Sequence, residues 1–277
     1  MILKRAYNYF TYHVCRIKDN IIYWLHKKIY GGVCVKKING SYMFIPVMDD
    51  GIGKDLICRP IREKQATLRM IELLKSDDIV VDIGANIGYY ALLCAKQVKK
   101  VYAIEPVKDT SDYLMASVLL NGYSNVEIDA CLAIGDRCGD VVINKCAKSN
   151  WASINQSYGE DTTGKELVQI ITIDKYVMHK DPPTIVRMDV EGYEYEILHG
   201  MTDTLPLLRY IFIELHPHLM SIDSVKYVLN TLQEADFIIY MIAKRDKEYM
   251  WELSDILNND EFLTGKLGAF QIIFKKG

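Results

Sequence analysis

Runs of consecutive apolar residues alternate along this chain with stretches in which apolar positions recur every three or four residues. The exchange is clearest from residue 62 onward. "REKQATLRMIELLKS" (62–76) reads as a helix that turns Leu68, Ile71 and Leu74 inward. "DIVVDIG" (78–84) has no polar alternation and reads as a strand buried on both faces. Further strands are expected at "KVYAIEP" (100–106), "VEIDACLAI" (126–134), "PTIVRMDV" (183–190) and "RYIFIELHP" (209–217). Helices are expected at "YYALLCAKQV" (89–98), "TSDYLMASVLLNG" (110–122), "YEYEILHG" (193–200) and "SVKYVLNTLQEA" (224–235). Asn121 and Gly122 act as a C-terminal stop. "DVVINKC" (140–146) and "LVQIITIDKYV" (167–177) read as added strands around a polar loop, and "FIIYMIAK" and "AFQIIFKK" as closing strands. This alternation predicts an α/β fold with a doubly wound, mostly parallel sheet over residues 63–277, preceded by a small extension, 1–62, of helix and short strands.

In that extension Ile17, Ile21, Trp24, Leu25 and Lys28 follow helical spacing. Residues 1–40 carry eight basic side chains against one acid, Asp19, a net +7 in a chain whose total is −3, so the remainder carries −10. Residues 1–30 are therefore read in two ways: as a helix on an anionic membrane face, or as a helix packed on the domain with its lysines at the edge. The acidic body argues against a nucleic-acid track. Seven scattered cysteines without a CxxC pair fit a reducing, cytoplasmic setting and no zinc site. No apolar stretch approaches the roughly 20 residues that cross a bilayer.

The turn Asp82-Ile83-Gly84-Ala85-Asn86-Ile87-Gly88 joins the first buried strand to a helix. A dinucleotide fingerprint would require glycine where Asn86 and Tyr89 stand, so a pyrophosphate is poorly served. The helix N-terminus favours a carboxylate, and Asp82 offers a partner for an ammonium group. Glu105 ends the second strand, where an acid accepts both ribose hydroxyls. A ligand with a ribose, an amino-acid end and no phosphate is S-adenosylmethionine.

These segments, with "DGIGKDL", "AIEP", "LLNG", "LAIGDRCGDV", "ITIDKYV", "IVRMDVEGYEYEILHG" and "IFIELHP", give a chain that resembles the FkbM-type S-adenosylmethionine-dependent methyltransferases from about residue 50 to the end. The resemblance implies a class I methyltransferase fold with a reversed last strand, and methyl transfer to a hydroxyl of a sugar, glycan precursor or related natural product. It also implies that Asp82, Gly84, Ala85, Asn86, Gly88 and Glu105 bind the cofactor and that Ala133 lines the adenine. Arg187, grouped with the substrate residues, stands where the family usually has lysine, a cation of different shape and donor geometry.

Asp189, Glu191, Glu214 and His216 fall at or just beyond the ends of two later strands. A hydroxyl acceptor must lose its proton. Either His216 or Asp189 takes it directly, or Asp189 and Glu214 hold a Mg²⁺ ion that acidifies the acceptor. The metal-free version is preferred, because "ELHPH" offers a base without a second carboxylate dedicated to metal. In the loop 145–166, Trp151 either stacks on a sugar with Asn150 and Ser153 donating to its hydroxyls, or packs on the domain edge. The competing functions are an N-methyltransferase, a nucleotide-sugar or NAD enzyme, and a non-catalytic module that binds the cofactor.

Overall fold

The computed structural model describes residues 18–59, 61–146, 148–154, 162–245 and 247–277. The N-terminal part contains helix α1 (18–30), the antiparallel hairpin β1 (Val33–Ile38) and β2 (Ser41–Pro46), and α2 (Ile52–Cys58). Then follow α3 (Lys64–Leu73), β3 (Ile79–Ile83), α4 (Tyr89–Ala95), β4 (Lys100–Glu105), α5 (Lys108–Asn121) and β5 (Val126–Ala130). β6 (Leu132–Gly135), β7 (Gly139–Cys146) and β8 (Thr162–Thr172) form a separate three-stranded sheet. The chain continues with α6 (Ile173–Val177), β9 (Ile185–Met188), α7 (Glu194–His199), β10 (Tyr210–Leu215) and α8 (Ile222–Glu234). It closes with β11 (Phe237–Lys244), β12 (Lys247–Tyr249), α9 (Leu253–Leu257), α10 (Asp260–Leu263) and β13 (Phe270–Lys276).

The central sheet has the order β12-β11-β13-β10-β9-β3-β4-β5. Strands β5, β4, β3, β9 and β10 are mutually parallel, and β13 runs antiparallel to β10. From β3 the chain winds outward to β4 and β5 on one side and later to β9 and β10 on the other. The ends of β3 and β9 therefore mark the switch point where a ligand crevice forms. Period-two alternation sends Ile79, Val81 and Ile83 into one apolar layer and Val80 into the other. The second layer also contains Tyr23, Met43, Ile45 and Leu56, so the N-terminal elements share a core with α4. Asp78 ties the sheet together at its opposite end, accepting from Arg209 at 2.8 Å and from Thr184 at 2.7 Å.

Three expectations are corrected. Helix α3 buries Ala66, Thr67 and Met70, whereas Leu68 and Ile71 are exposed and only Leu74 of the expected trio is buried. Tyr89 sets this rotation: its hydroxyl pairs with Thr67 Oγ1 at 3.0 Å and donates to the Arg62 carbonyl, drawing the small-residue face inward. Segment 126–134 is two strands in different sheets, broken at Cys131, whose φ is 59°. Segment 167–177 ends as helix α6 beyond Thr172, whose hydroxyl caps the Lys175 amide.

Candidate active site

A crevice opens at the carboxyl ends of β3, β4 and β9. Its floor is the turn after β3. Gly84 has φ 73°, and a Cβ there would lie 2.2 Å from the Asp189 carbonyl oxygen, so only glycine lets β3 and β9 approach this closely. Gly84 and Ala85 both donate to the Ile104 carbonyl. Asn86 is left-handed, with φ 52°, and its Oδ1 accepts from the Ile87 amide. Glu105 anchors the wall, accepting from the Asn86 amide at 2.8 Å and from the Val107 amide at 2.9 Å. Burial pushes its carboxyl up to about 7, against these two donors. Gly84, Ala85, Asn86, Glu105 and Ala133 all line the crevice.

Asp82 and Gly88 do not line it. Asp82 alternates with Ile83 and points to the same side of the sheet as Val80, where Arg187 Nη1 reaches its Oδ1 at 3.2 Å. Burial raises its pKa, and the neighbouring guanidinium opposes that rise. Gly88 instead lets α5 pack close, since a Cβ there would meet Leu114 at 2.4 Å. Arg187 also donates to the Gly84 carbonyl at 3.1 Å and to Asp189 Oδ2 at 2.9 Å, and it stacks over Tyr90 at 4.6 Å. It is thus the buried bolt joining the turn to β9. Burial works to raise Asp189, but Arg187 and then His216 bring it below the usual carboxylate range.

Glu191 faces the crevice from the turn after β9, with φ 50°, a conformation uncommon for a side chain of its size. Its Oε2 is 3.5 Å from His216 Nε2, while His216 Nδ1 is 2.7 Å from Oε1 of the fully buried Glu194. Burial of His216 works to lower its pKa, but Glu194 and Glu191 hold it well above the ordinary value. Burial pushes Glu191 up to about 7, with His216 opposing. Glu214 is set behind Arg187 beside Glu63 and Tyr90, outside the main crevice. Burial, then the charge of Asp189, pushes it up to about 8.

Ligand atoms of Asp189, Glu214 and His216 come within 4.8 Å of one another. Asp189 is already committed to Arg187, however, and Arg62 lies beside the same acids. The two acids have Arg187, Arg62 and His216 itself as counter-charges, and the cluster is not a donor set left open for Mg²⁺.

Ser153 lines the crevice and donates to the Glu191 carbonyl at 3.2 Å, so the loop and the acid are coupled. Trp151 does not line it, and Lys148 Nζ sits 3.4 Å from its ring centre. The side chain of Asn150 lies outside the described residues. Sequence reasoning passed over Ser149, which donates to Asp49 Oδ2 at 2.7 Å and to Asn86 Oδ1 at 3.3 Å. It also passed over Arg62, Tyr90 and Tyr193, which line the crevice. Arg62 and Glu63 ("RE"), Tyr90 and Tyr193 fall within segments that carry the family resemblance, but it is tertiary packing that brings them to the strand ends, so no role could be read for them. Glu194 carried only a helix N-terminal signal.

This sheet order and its reversed β13, with a glycine turn at the switch point, define a class I methyltransferase fold. The methyltransferase FkbM domain family matches residues 82–239, and the chain belongs to this family. It is 29% identical over 161 residues to a hexuronic acid methyltransferase, AglP, of Haloferax volcanii, a match covering 57% of this chain and 64% of that protein. Among solved structures it resembles methyltransferase FkbM from Methylobacillus flagellatus, with a TM-score of 0.50 and 17% identity, over 82% of this chain and 55% of that one. A putative SAM-dependent methyltransferase from Streptococcus mutans gives a TM-score of 0.51 at 9% identity, covering 88% and 55% of the two chains. At these identities the two structures speak for the fold.

Proposed function

We propose that the protein is an S-adenosylmethionine-dependent O-methyltransferase acting on a hydroxyl of a sugar or related glycan precursor. The crevice suits this cofactor on its own chemistry. Glu105 offers a carboxylate for ribose hydroxyls, and the floor at Asn86 lacks the bare backbone that a pyrophosphate requires. When bound, the cofactor supplies an electrophilic methyl group on sulfur. Six acids (Glu63, Asp82, Asp189, Glu191, Glu194 and Glu214) surround three cations (Arg62, Arg187 and His216) at this end of the sheet.

The observation that carries the hydroxyl assignment is Glu191. It is a crevice-lining carboxyl poised near neutrality, with its back secured by His216 and Glu194. A base with a pKa near the working pH is suited to take an alcohol proton. Glu191 therefore receives the acceptor's proton, and His216 acts behind it as a positioning residue. The name of the Haloferax relative supports a sugar acceptor. Transfer of labelled methyl to a panel of uronic-acid and neutral glycans, with peptides as controls, tests the proposal. The expected product is a methyl ether that survives mild alkali. An alkali-labile methyl ester, whose formation needs no base, or a methylated amine would overturn it.

A further inference from the structure

Helix α1 carries its apolar side chains outward. At 100° per residue, Lys18, Ile21, Trp24, Leu25, Lys28 and Ile29 fall within an arc of about 140°, and Tyr23 lies opposite. Tyr23 is 5% exposed, against 54% for Ile21, 57% for Trp24 and 70% for Ile29. A surface helix of a globular domain normally shows the reverse. The feature is also concentrated: of the 22 large apolar side chains exposed among the described residues, nine lie between 21 and 48.

The charges on this face have one sign. Lys18 and Lys28 are exposed on the apolar arc, with Lys28 Nζ 5.9 Å from the Trp24 ring. The lysines that face inward are already engaged, Lys27 by Asp50 and Lys36 by the Leu56 and Ile57 carbonyls. The helix's acid, Asp19, lies on the inner side, within 3.5 Å of Arg59. The preceding sequence adds Lys4, Arg5 and Arg16. An aromatic and aliphatic stripe edged only by lysines matches an anionic lipid surface, which takes apolar side chains below its headgroups and lysines among them. A nucleic acid would serve the lysines and leave Ile21, Leu25 and Ile29 in water. No helix among the described residues is long and apolar enough to cross a membrane, so contact would be along the surface.

We propose that the outward face of α1 docks this protein onto anionic membranes, with Trp24 and Ile29 inserted and Lys18 and Lys28 at the headgroups. The full chain is to be sedimented with phosphatidylcholine vesicles, with and without 30% phosphatidylserine, at low and high salt. Binding to the anionic vesicles alone, weakened by salt, is expected. The exposed-site variants Trp24→Ala with Ile29→Ala, and Lys18→Glu with Lys28→Glu, should each lower partitioning roughly tenfold. Both should melt like the parent chain, because none of these side chains is in the core. Equal partitioning of parent and variants, or no binding to the anionic vesicles, would overturn the proposal. So would variants that change the oligomeric state while vesicle binding stays constant, since a second copy would then be the occupant. Binding is read without turnover, so failure here is separate from failure of the enzymatic assignment.

Discussion

Oε1 of Glu194, a side chain with no solvent exposure, lies 2.7 Å from Nδ1 of His216. Nε2 of the same ring is directed at Glu191, 3.5 Å away. One ring nitrogen hydrogen-bonds to the Glu194 carboxylate and a second acid faces the other, so the two carboxylates favour the protonated, cationic imidazole. That preference runs against the expectation that His216 takes the proton, since a protonated imidazole has no free lone pair to accept it. Glu191, the acid in front of it, faces the crevice and is the group we propose for that role.

Glu191→Gln should therefore lower kcat by about 10²–10⁴-fold, the usual range for loss of a general base. Affinity for S-adenosylhomocysteine, measured by calorimetry, should change little, since Glu105 and the Gly84 turn are untouched. In the parent enzyme kcat should climb as pH rises through about 7, where Glu191 ionises. Turnover of the Gln variant at the parental rate would remove Glu191 from the chemistry.

His216→Gln tests the positioning role through a pH profile. His216 lowers the Glu191 pKa against the larger effect of burial. Without that cation the acid limb of the kcat profile should move to higher pH, and part of the lost rate should return under alkaline conditions. A profile that stays in place and merely falls in height would indicate a structural role alone. EDTA should leave turnover intact in both proteins, because Arg187 and His216 supply the counter-charges that a Mg²⁺ ion would otherwise provide.

The sheet was readable from sequence because buried parallel strands are continuous apolar runs, and "DIVVDIG" and "RYIFIELHP" have no competing reading. The Leu68 and Ile71 face was misjudged because periodicity locates a stripe but not the partner that selects it. Here the Tyr89 hydroxyl, 22 residues away in sequence, holds Thr67 inward. The break at Cys131 rests on one left-handed residue inside an apolar run, which no pattern marks. At the site, the turn from Gly84 to Asn86 and the acid at 105 were legible, since the strand–turn–helix order fixes where they must lie. The direction of Asp82 was not. An acid next to last on a strand can face the ligand or the helix layer, and the buried Arg187 decides for the helix layer.

Arg187 neutralises Asp82 and Asp189 at once, with side-chain exposures of 8%, 1% and 11%. Arg187→Met would keep most of the volume and leave two buried carboxylates without their partner. Breaking such an arrangement from one side costs about 3–5 kcal/mol. Urea unfolding should show a loss of this size, smaller at acid pH where the carboxylates are protonated. Arg187→Lys should recover only part of it, since one ammonium cannot reproduce the forked contacts to Asp82, Gly84 and Asp189. Loss of less than about 1 kcal/mol in the Met variant would show that the two acids are solvated or neutral in the native protein.

Glu105 gives a prediction with opposite signs for folding and for binding. Its carboxyl is raised from 4.5 to about 7 by burial. A raised acid contributes stability that is fully present below the unfolded value and is lost as pH rises through the folded one. The melting temperature of the unliganded protein should therefore fall between about pH 5 and pH 8, and Glu105→Gln should make that decline shallower. Binding runs the other way. The ionised carboxylate is the stronger acceptor for ribose hydroxyls, so S-adenosylhomocysteine affinity should increase as pH rises through about 7. Glu105→Ala should weaken binding by about 1.5–3 kcal/mol, the cost of losing hydrogen bonds to a charged group. It should also abolish this part of the pH dependence. A pH-independent dissociation constant in the parent chain, or an unchanged one in a folded Ala variant, would place the ribose elsewhere in the crevice.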